Sequence, residues 1–168
     1  AAMIDDGHAF TTWHRNGWRN SENYELGQHL ALDFDAGTTD SSIPWLSSDK
    51  FVQQYAAFIY STPSHTAEAP KSRVVFVLDT PIMQATNYAL AAAALLWLFG
   101  TADRQCKDAA RFFYGSMRCE IEMFDNAMSL ATVKHISAQY QASGEREMQR
   151  RTRTSPTTTD PAEAAAAL

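Results

Sequence analysis

The stretch Leu32-Asp33-Phe34-Asp35-Ala36-Gly37 holds the densest chemistry in the sequence. Two aspartates at i and i+2 on a strand point to the same face. By strand rise they sit about 7 Å apart. Two carboxylates that close repel unless a cation lies between them. An oxygen-seeking divalent ion, Mg²⁺ or Mn²⁺, suits such donors. Leu32 and Phe34 are core-type residues that anchor the strand, and Gly37 lets the chain turn away from the site. The competing reading of the pair is a solvated edge strand with two surface aspartates.

Two further stretches add groups to that pair. Ser61-Thr62-Pro63-Ser64-His65-Thr66 is a strand end followed by a polar turn. An imidazole presented there could donate a hydrogen bond to a phosphate; otherwise His65 is an exposed loop residue. Ala102-Asp103 is followed by Lys107, Asp108, Arg111, Phe112 and Phe113. An acid here could complete a metal site. Arg111, Lys107 and Arg73 are candidates for a triphosphate, since arginine suits planar oxyanions. The competing reading is a polar loop with its charges in water. Asp79 and Asp108 are rivals to Asp103 as third acid. Asp79 also stands just before Thr80-Pro81, where a carboxylate favours a helix start. No Ser or Cys nucleophile arrangement is visible. His8, His14 and His29 lack zinc-finger spacing with Cys106 and Cys119.

Periodicity supplies the elements that must carry these groups. Alternation predicts strands over residues 29–35, 57–62 and 73–79, with further candidates at 111–114 and 117–124. Caps predict helices over 80–99, from Thr80-Pro81 to Gly100, over about 47–56 from Ser47 or Ser48, and over 129–141 from Ser129. The order strand, helix, strand, strand, helix, strand is an α+β pattern. It matches the ferredoxin-like, RRM-like split β-α-β sheet, with flanking N-terminal elements.

The order hhhDhD through Asp33 and Asp35, then S-x-H around Ser64-His65, then hD at Asp103 followed by Arg111-Phe112-Phe113, resembles the archaeo-eukaryotic primase superfamily. Residues 65–79, with an S-H-T stretch, a proline and an R-h-h-h-L strand, resemble the primase-polymerase domains of phages, plasmids and mobile elements. Residues 103–115 resemble their third block, and the likeness covers about residues 8–142. It implies that Asp33, Asp35 and Asp103 bind two divalent catalytic metals, Mg²⁺ or Mn²⁺. It implies that His65, with Ser64, meets the phosphates of an incoming NTP or dNTP. A single-stranded DNA template and a linked helicase or accessory helical domain are the partners it implies, in the cytoplasm of a bacterial or archaeal host. Two ions about 3.5–4 Å apart can activate a 3′ hydroxyl and stabilise departing pyrophosphate. The rival functions are a metal-dependent nuclease and a catalytically silent RRM-like binding module.

Composition sets the outer limits. The chain has 168 residues, 45% hydrophobic and 20% charged, one domain's worth of ordinary globular sequence. Net charge is −5, with 14 Lys plus Arg against 19 Asp plus Glu. A surface that bound nucleic acid tightly on its own would usually be basic, so any such contact is local or metal-assisted. Trp13-His14-Arg15 and Trp18-Arg19 mix aromatic and basic groups and fit either base stacking or the rim of an N-terminal subdomain. Two cysteines without a C-x-x-C pair fit a reducing compartment. The apolar run at 89–99 is too short to span a membrane, and the first residues lack the basic region of a signal peptide. Composition shifts after Ser143 into a charged, then Thr-, Pro- and Ala-rich stretch, which predicts a catalytic core over 1–142 and a linker or flexible tail over 143–168.

Overall fold

The structure, a computed structural model, describes the backbone of residues 2–154 and the side chains of residues 2–144. A short helix α1 (Ala2–Asp5) and a two-residue strand β1 (Trp13–His14) precede the long strand β2 (Tyr24–Phe34). Helices α2 (Ile43–Ser47) and α3 (Lys50–Tyr55) lead to β3 (Phe58–Ser61), and a loop joins it to β4 (Ser72–Ile82). The helix α4 (Ala85–Leu98), strands β5 (Ile121–Met123) and β6 (Ala127–Met128), and helix α5 (Leu130–Thr154) complete the order. Among the described residues no helix is long and apolar enough to cross a membrane.

The result is a mixed α/β unit around one sheet, ordered β1-β2-β4-β3-β5 and antiparallel throughout that path. β6 runs parallel to β4 beyond the end of β3. β4 therefore lies between β2 and β3. A ferredoxin-like sheet would close with a fourth strand beside β2. Here that flank holds only β1, and β5 lies outside β3.

Alternation gives the sheet two unlike faces. Leu30, Leu32, Phe34, Val74, Phe76 and Ile59 point to one side, all at most 1% exposed. Phe76 meets Phe51 of α3 and Phe99 at the end of α4, and Phe34 meets Phe99, through ring contacts of 5.9–6.4 Å. Burying each such ring contributes roughly 1.5–3 kcal/mol. The other face carries Asp33, Arg73 and Tyr60. Arg73 is in direct register with Asp33 on one side and Tyr60 on the other.

Several element bounds differ from the expectation for local reasons. β2 begins at Tyr24, five residues before the predicted start at His29, because Gly27 continues the strand while admitting a neighbour. A Cβ there would stand 2.7 Å from the Tyr88 ring and 2.8 Å from the Tyr24 hydroxyl. Thr80 and Pro81 belong to β4, and α4 starts at Ala85. Proline is tolerated there because the ladder is irregular, with a register shift between Gly27 and His29. α3 is capped by Asp49, which accepts from the N–H groups of Phe51 (2.8 Å) and Val52 (3.0 Å), rather than by Ser47 or Ser48. Residues 117–124 form a strand only over Ile121–Met123, since Arg118 takes a left-handed φ of 54°. Of residues 111–114, only Phe113 pairs, in a bridge with Phe10. α5 starts after Ser129 as expected but passes Gln141 to end at Thr154. Its last part is rich in Glu, Arg, Met and Gln, good helix formers. The boundary expected after residue 142 thus falls within α5, and residues 155–168 lie outside the described ones.

Candidate active site

β2 delivers Asp33 to the open face just before the strand ends. Its side chain is 3% exposed and that of its cross-strand neighbour Arg73 is 7% exposed. Arg73 Nε donates to Asp33 Oδ1, and its Nη1 donates to the Tyr60 hydroxyl. The same Nη1 donates to the Tyr114 carbonyl at 2.7 Å. The guanidinium lies 4.9 Å from the Phe113 ring centroid and 5.3 Å from that of Tyr60. Burial by itself would lower the Arg73 pKa, but Asp33 and Tyr60 more than offset it and hold the group charged. Burial pushes the Tyr60 phenol up to about 12, so it remains a hydroxyl.

The turn after α4 brings Asp103 to the same place. Its backbone N–H donates to the Asp33 carbonyl at 2.8 Å. One carboxylate oxygen accepts from Gln105 N–H at 3.0 Å and caps the 3-10 turn Arg104–Lys107. Within that turn lies Cys106, whose Sγ accepts from Asp33 N–H at 3.3 Å. Arg111 then joins the acids. Its Nη2 donates to Asp33 Oδ2 at 2.7 Å and to Asp103 Oδ2 at 2.8 Å. Residues about 70 positions apart in sequence are thereby fixed by both backbone and side chain.

Asp35 follows the end of β2 and is exposed. Burial and then the Asp33 charge push its pKa up, Lys71 and Arg73 pull it down, and Asp103 raises it again. The three carboxylates therefore feel one another. His65 stands in the loop between β3 and β4. Its Nδ1 accepts from Lys71 N–H at 3.0 Å, which leaves the proton on Nε2. With Gly37, Thr39, Ser42 and Pro70 it lines a cavity of about 520 Å³. Ser64 is exposed in the same loop.

Other expected residues lie elsewhere. Lys107 faces a groove with Arg104, Trp97 and Tyr140, against α4 and α5. Asp108 accepts from Ala110 N–H at 2.9 Å in a local turn. Asp79 accepts from Leu130 N–H at 3.0 Å and so serves the start of α5, not a helix at Pro81. Tyr60, Tyr114 and Cys106 were not anticipated. Tyr60 had a signal, since the alternation of β3 turns its polar tip to the Asp33 face. Cys106 and the Tyr114 carbonyl had none.

Asp33, Asp103 and Cys106 each bring a donor atom within 4.8 Å of the others. The carboxylates fit a hard divalent cation. Cys106 does not, because burial pushes its thiol up to about 12 and keeps it protonated. Asp35 is an exposed carboxylate near enough for the charges of Asp33 and Asp103 to raise its pKa.

No family model matches the sequence, and no curated protein matches it. Among solved structures, the fold is similar to that of the AEP domain of cyanophage S-2L primase-polymerase, with a TM-score of 0.55 and 11% identity. The likeness covers 71% of this chain and 65% of that domain. At that identity it is a likeness of fold alone: a mixed α/β unit with an antiparallel sheet.

Proposed function

We propose that the protein carries out template-directed nucleotidyl transfer, as a DNA primase or primase-polymerase. The observation that carries this reading is the meeting of Asp33 and Asp103 beside Asp35, within a fold similar to that of a primase-polymerase domain. Asp33, Asp35 and Asp103 would hold Mg²⁺ or Mn²⁺, which when bound supplies Lewis-acid activation and charge for phosphoryl transfer. Arg73 is a positioning residue: it fixes the Asp33 carboxylate through a contact that Tyr60 and Tyr114 hold in place. The Nε2–H of His65 is free to donate to a phosphate in the neighbouring cavity. Arg111 is the guanidinium within reach of a triphosphate on that face. Lys107, in its separate groove, has no part in it.

Single-stranded DNA would run over the aromatic groups that follow Arg111 in the chain. Arg19 stacks on Phe112 at 5.0 Å, and Phe112 meets Tyr114 edge-on at 5.1 Å. Tyr114 and Trp18 are exposed, and base–aromatic stacking contributes about 1–3 kcal/mol per base. One observation favours the silent-module reading: each Asp33 oxygen already accepts from a guanidinium.

The test is extension of a labelled primer on a DNA template with Mg²⁺ or Mn²⁺, supplying NTPs and dNTPs separately, and repeated without primer. Asp35→Asn should remove incorporation at unchanged stability, because the exposed side chain accepts no fold-holding hydrogen bond among the described residues. Extension by that variant at the wild-type rate would remove Asp35 from the site. Shortening of the labelled strand without incorporation would make the protein a nuclease.

A further inference from the structure

We infer that Arg111 is the resident counter-cation of the Asp33–Asp103 pair, and that a nucleotide triphosphate must draw it off before a divalent ion can take both carboxylates. Metal and nucleotide then bind together rather than in turn. This rests on the nucleotidyl-transfer reading. A single nitrogen, Nη2, makes both contacts, at 2.7 and 2.8 Å. It lies between the two oxygens that a cation would need.

The two arginines of the cluster are held very differently. Arg73 is 7% exposed and also bonded to Tyr60 and Tyr114. The Arg111 side chain is 19% exposed, and its remaining polar contact among the described residues is Gln105 Oε1 at 3.5 Å. Its cation–π contact with Phe113 is long, at 5.7 Å. Arg73 is thus fixed and Arg111 is able to leave. Charge gives the reason for it to leave. Arg73, Arg111 and Lys71 together balance the charge of the three carboxylates, which leaves weak attraction for a divalent ion. A triphosphate offers Arg111 oxyanions of matching bidentate geometry. Once Arg111 turns to them, the freed carboxylates gain the charge that holds metal. An empty site would then bind little metal, and a nucleotide would arrive with its ion.

Titration of the full chain with Mn²⁺, read by the paramagnetic resonance of the free ion, needs no turnover. Mn²⁺ alone should bind weakly to the wild type, and a non-hydrolysable dNTP analogue should tighten it beyond what the analogue binds by itself. Arg111→Met keeps an unbranched stem out to about the position of Nε and removes the guanidinium with its charge. It should raise affinity for Mn²⁺ alone at least about tenfold, the scale of losing a unit charge a few ångströms away, and shrink the gain from the analogue. Unchanged or weaker Mn²⁺ binding by the folded variant would overturn the inference. A wild-type readout guards against a variant that does not fold. In ¹⁵N-arginine-labelled protein the analogue without metal should shift the Arg111 side-chain N–H resonance, and an unmoved resonance would equally overturn it. If neither protein bound Mn²⁺ under any condition, the metal reading itself would fall, a result distinct from wild-type-like binding by Arg111→Met.

Discussion

The two faces of the sheet are built on different physics. The face toward α3 and α4 is apolar and close-packed, with Phe99 in contact with Phe34, Phe51 and Phe76. The opposite face is met by Phe10, Phe113 and the turn carrying Asp103, Cys106 and Arg111, and its buried centre is the Asp33–Arg73 pair. The first face gains stability from area removed from water. The second gains little from its ion pair, since desolvating two charges consumes most of their attraction. What the pair adds is position: it holds a carboxylate rigidly beside Asp103 and Arg111. A fold that needed only stability would place leucine at both positions.

Removing one partner should therefore break the second face most severely. Asp33→Ala leaves Arg73 charged and buried without its acid, at a cost of about 3–5 kcal/mol, to be measured by urea denaturation. Repulsion between Asp33 and Asp35 would have predicted the opposite, a neutral or stabilised variant. That expectation omits the two guanidiniums on Asp33, which outweigh the exposed Asp35. Asp33→Leu combined with Arg73→Met should recover most of the loss while leaving nucleotide incorporation absent. A double variant no more stable than Asp33→Ala would mean that the ion pair itself contributes a large net stabilisation.

The apolar face was the legible one. Leu30-Leu32-Phe34 and Val74-Phe76-Leu78 announce strands by period alone, and Gly100 announces the end of the helix before it. The acids Asp33, Asp35 and Asp103 were legible as types in an order. Their partners were not, because register is a pairing between distant segments. Nothing local in Ser72-Arg73-Val74 says that Arg73 stands opposite Asp33, so it was read as a triphosphate ligand and proves to be locked in place. The Thr80-Pro81 pair misled for a related reason. Its helix-start chemistry is sound, but β2 and β6 had already committed the segment to the sheet through the pairings of Gly27 with Ile82 and of Met128 with Leu78.

A smaller effect separates the faces by pH. His29 packs edge-on against Phe10 at 4.9 Å on the second face, with Nε2 buried and without a partner among the described residues. Burial holds its pKa down to about 4. The unfolded chain takes up a proton near pH 6.5 and the native one only near 4, so stability is full above about 6.5 and is lost as pH falls toward 4. The residue is only partly buried as a whole, so the loss is at most about 3 kcal/mol. His29→Phe should flatten this part of the acid limb in denaturation curves taken at pH 7, 6, 5 and 4. A variant as acid-sensitive as the wild type would assign the loss to the carboxylates.

The smallest expected effect concerns Asp79, and it bears on which acid completes the site. Asp79 is exposed on β4 and accepts from the first free N–H of α5 at 3.0 Å. Ser129 already serves another donor of that helix end, accepting from Thr132 N–H at 3.1 Å. Losing one of two caps costs less than losing a sole one, so Asp79→Ala should lower stability by about 0.5–1 kcal/mol. Its partner is a helix terminus rather than another acid, and incorporation should continue at nearly the wild-type rate. Asp103→Ala should do the reverse. It removes a carboxylate that meets Arg111 and stands beside Asp33, so extension should stop at any nucleotide concentration. Steady-state extension kinetics on the two variants decide between the acids. An inactive Asp79→Ala beside an active Asp103→Ala would move the third acid to β4 and leave the Asp33–Arg111–Asp103 contact as a structural brace.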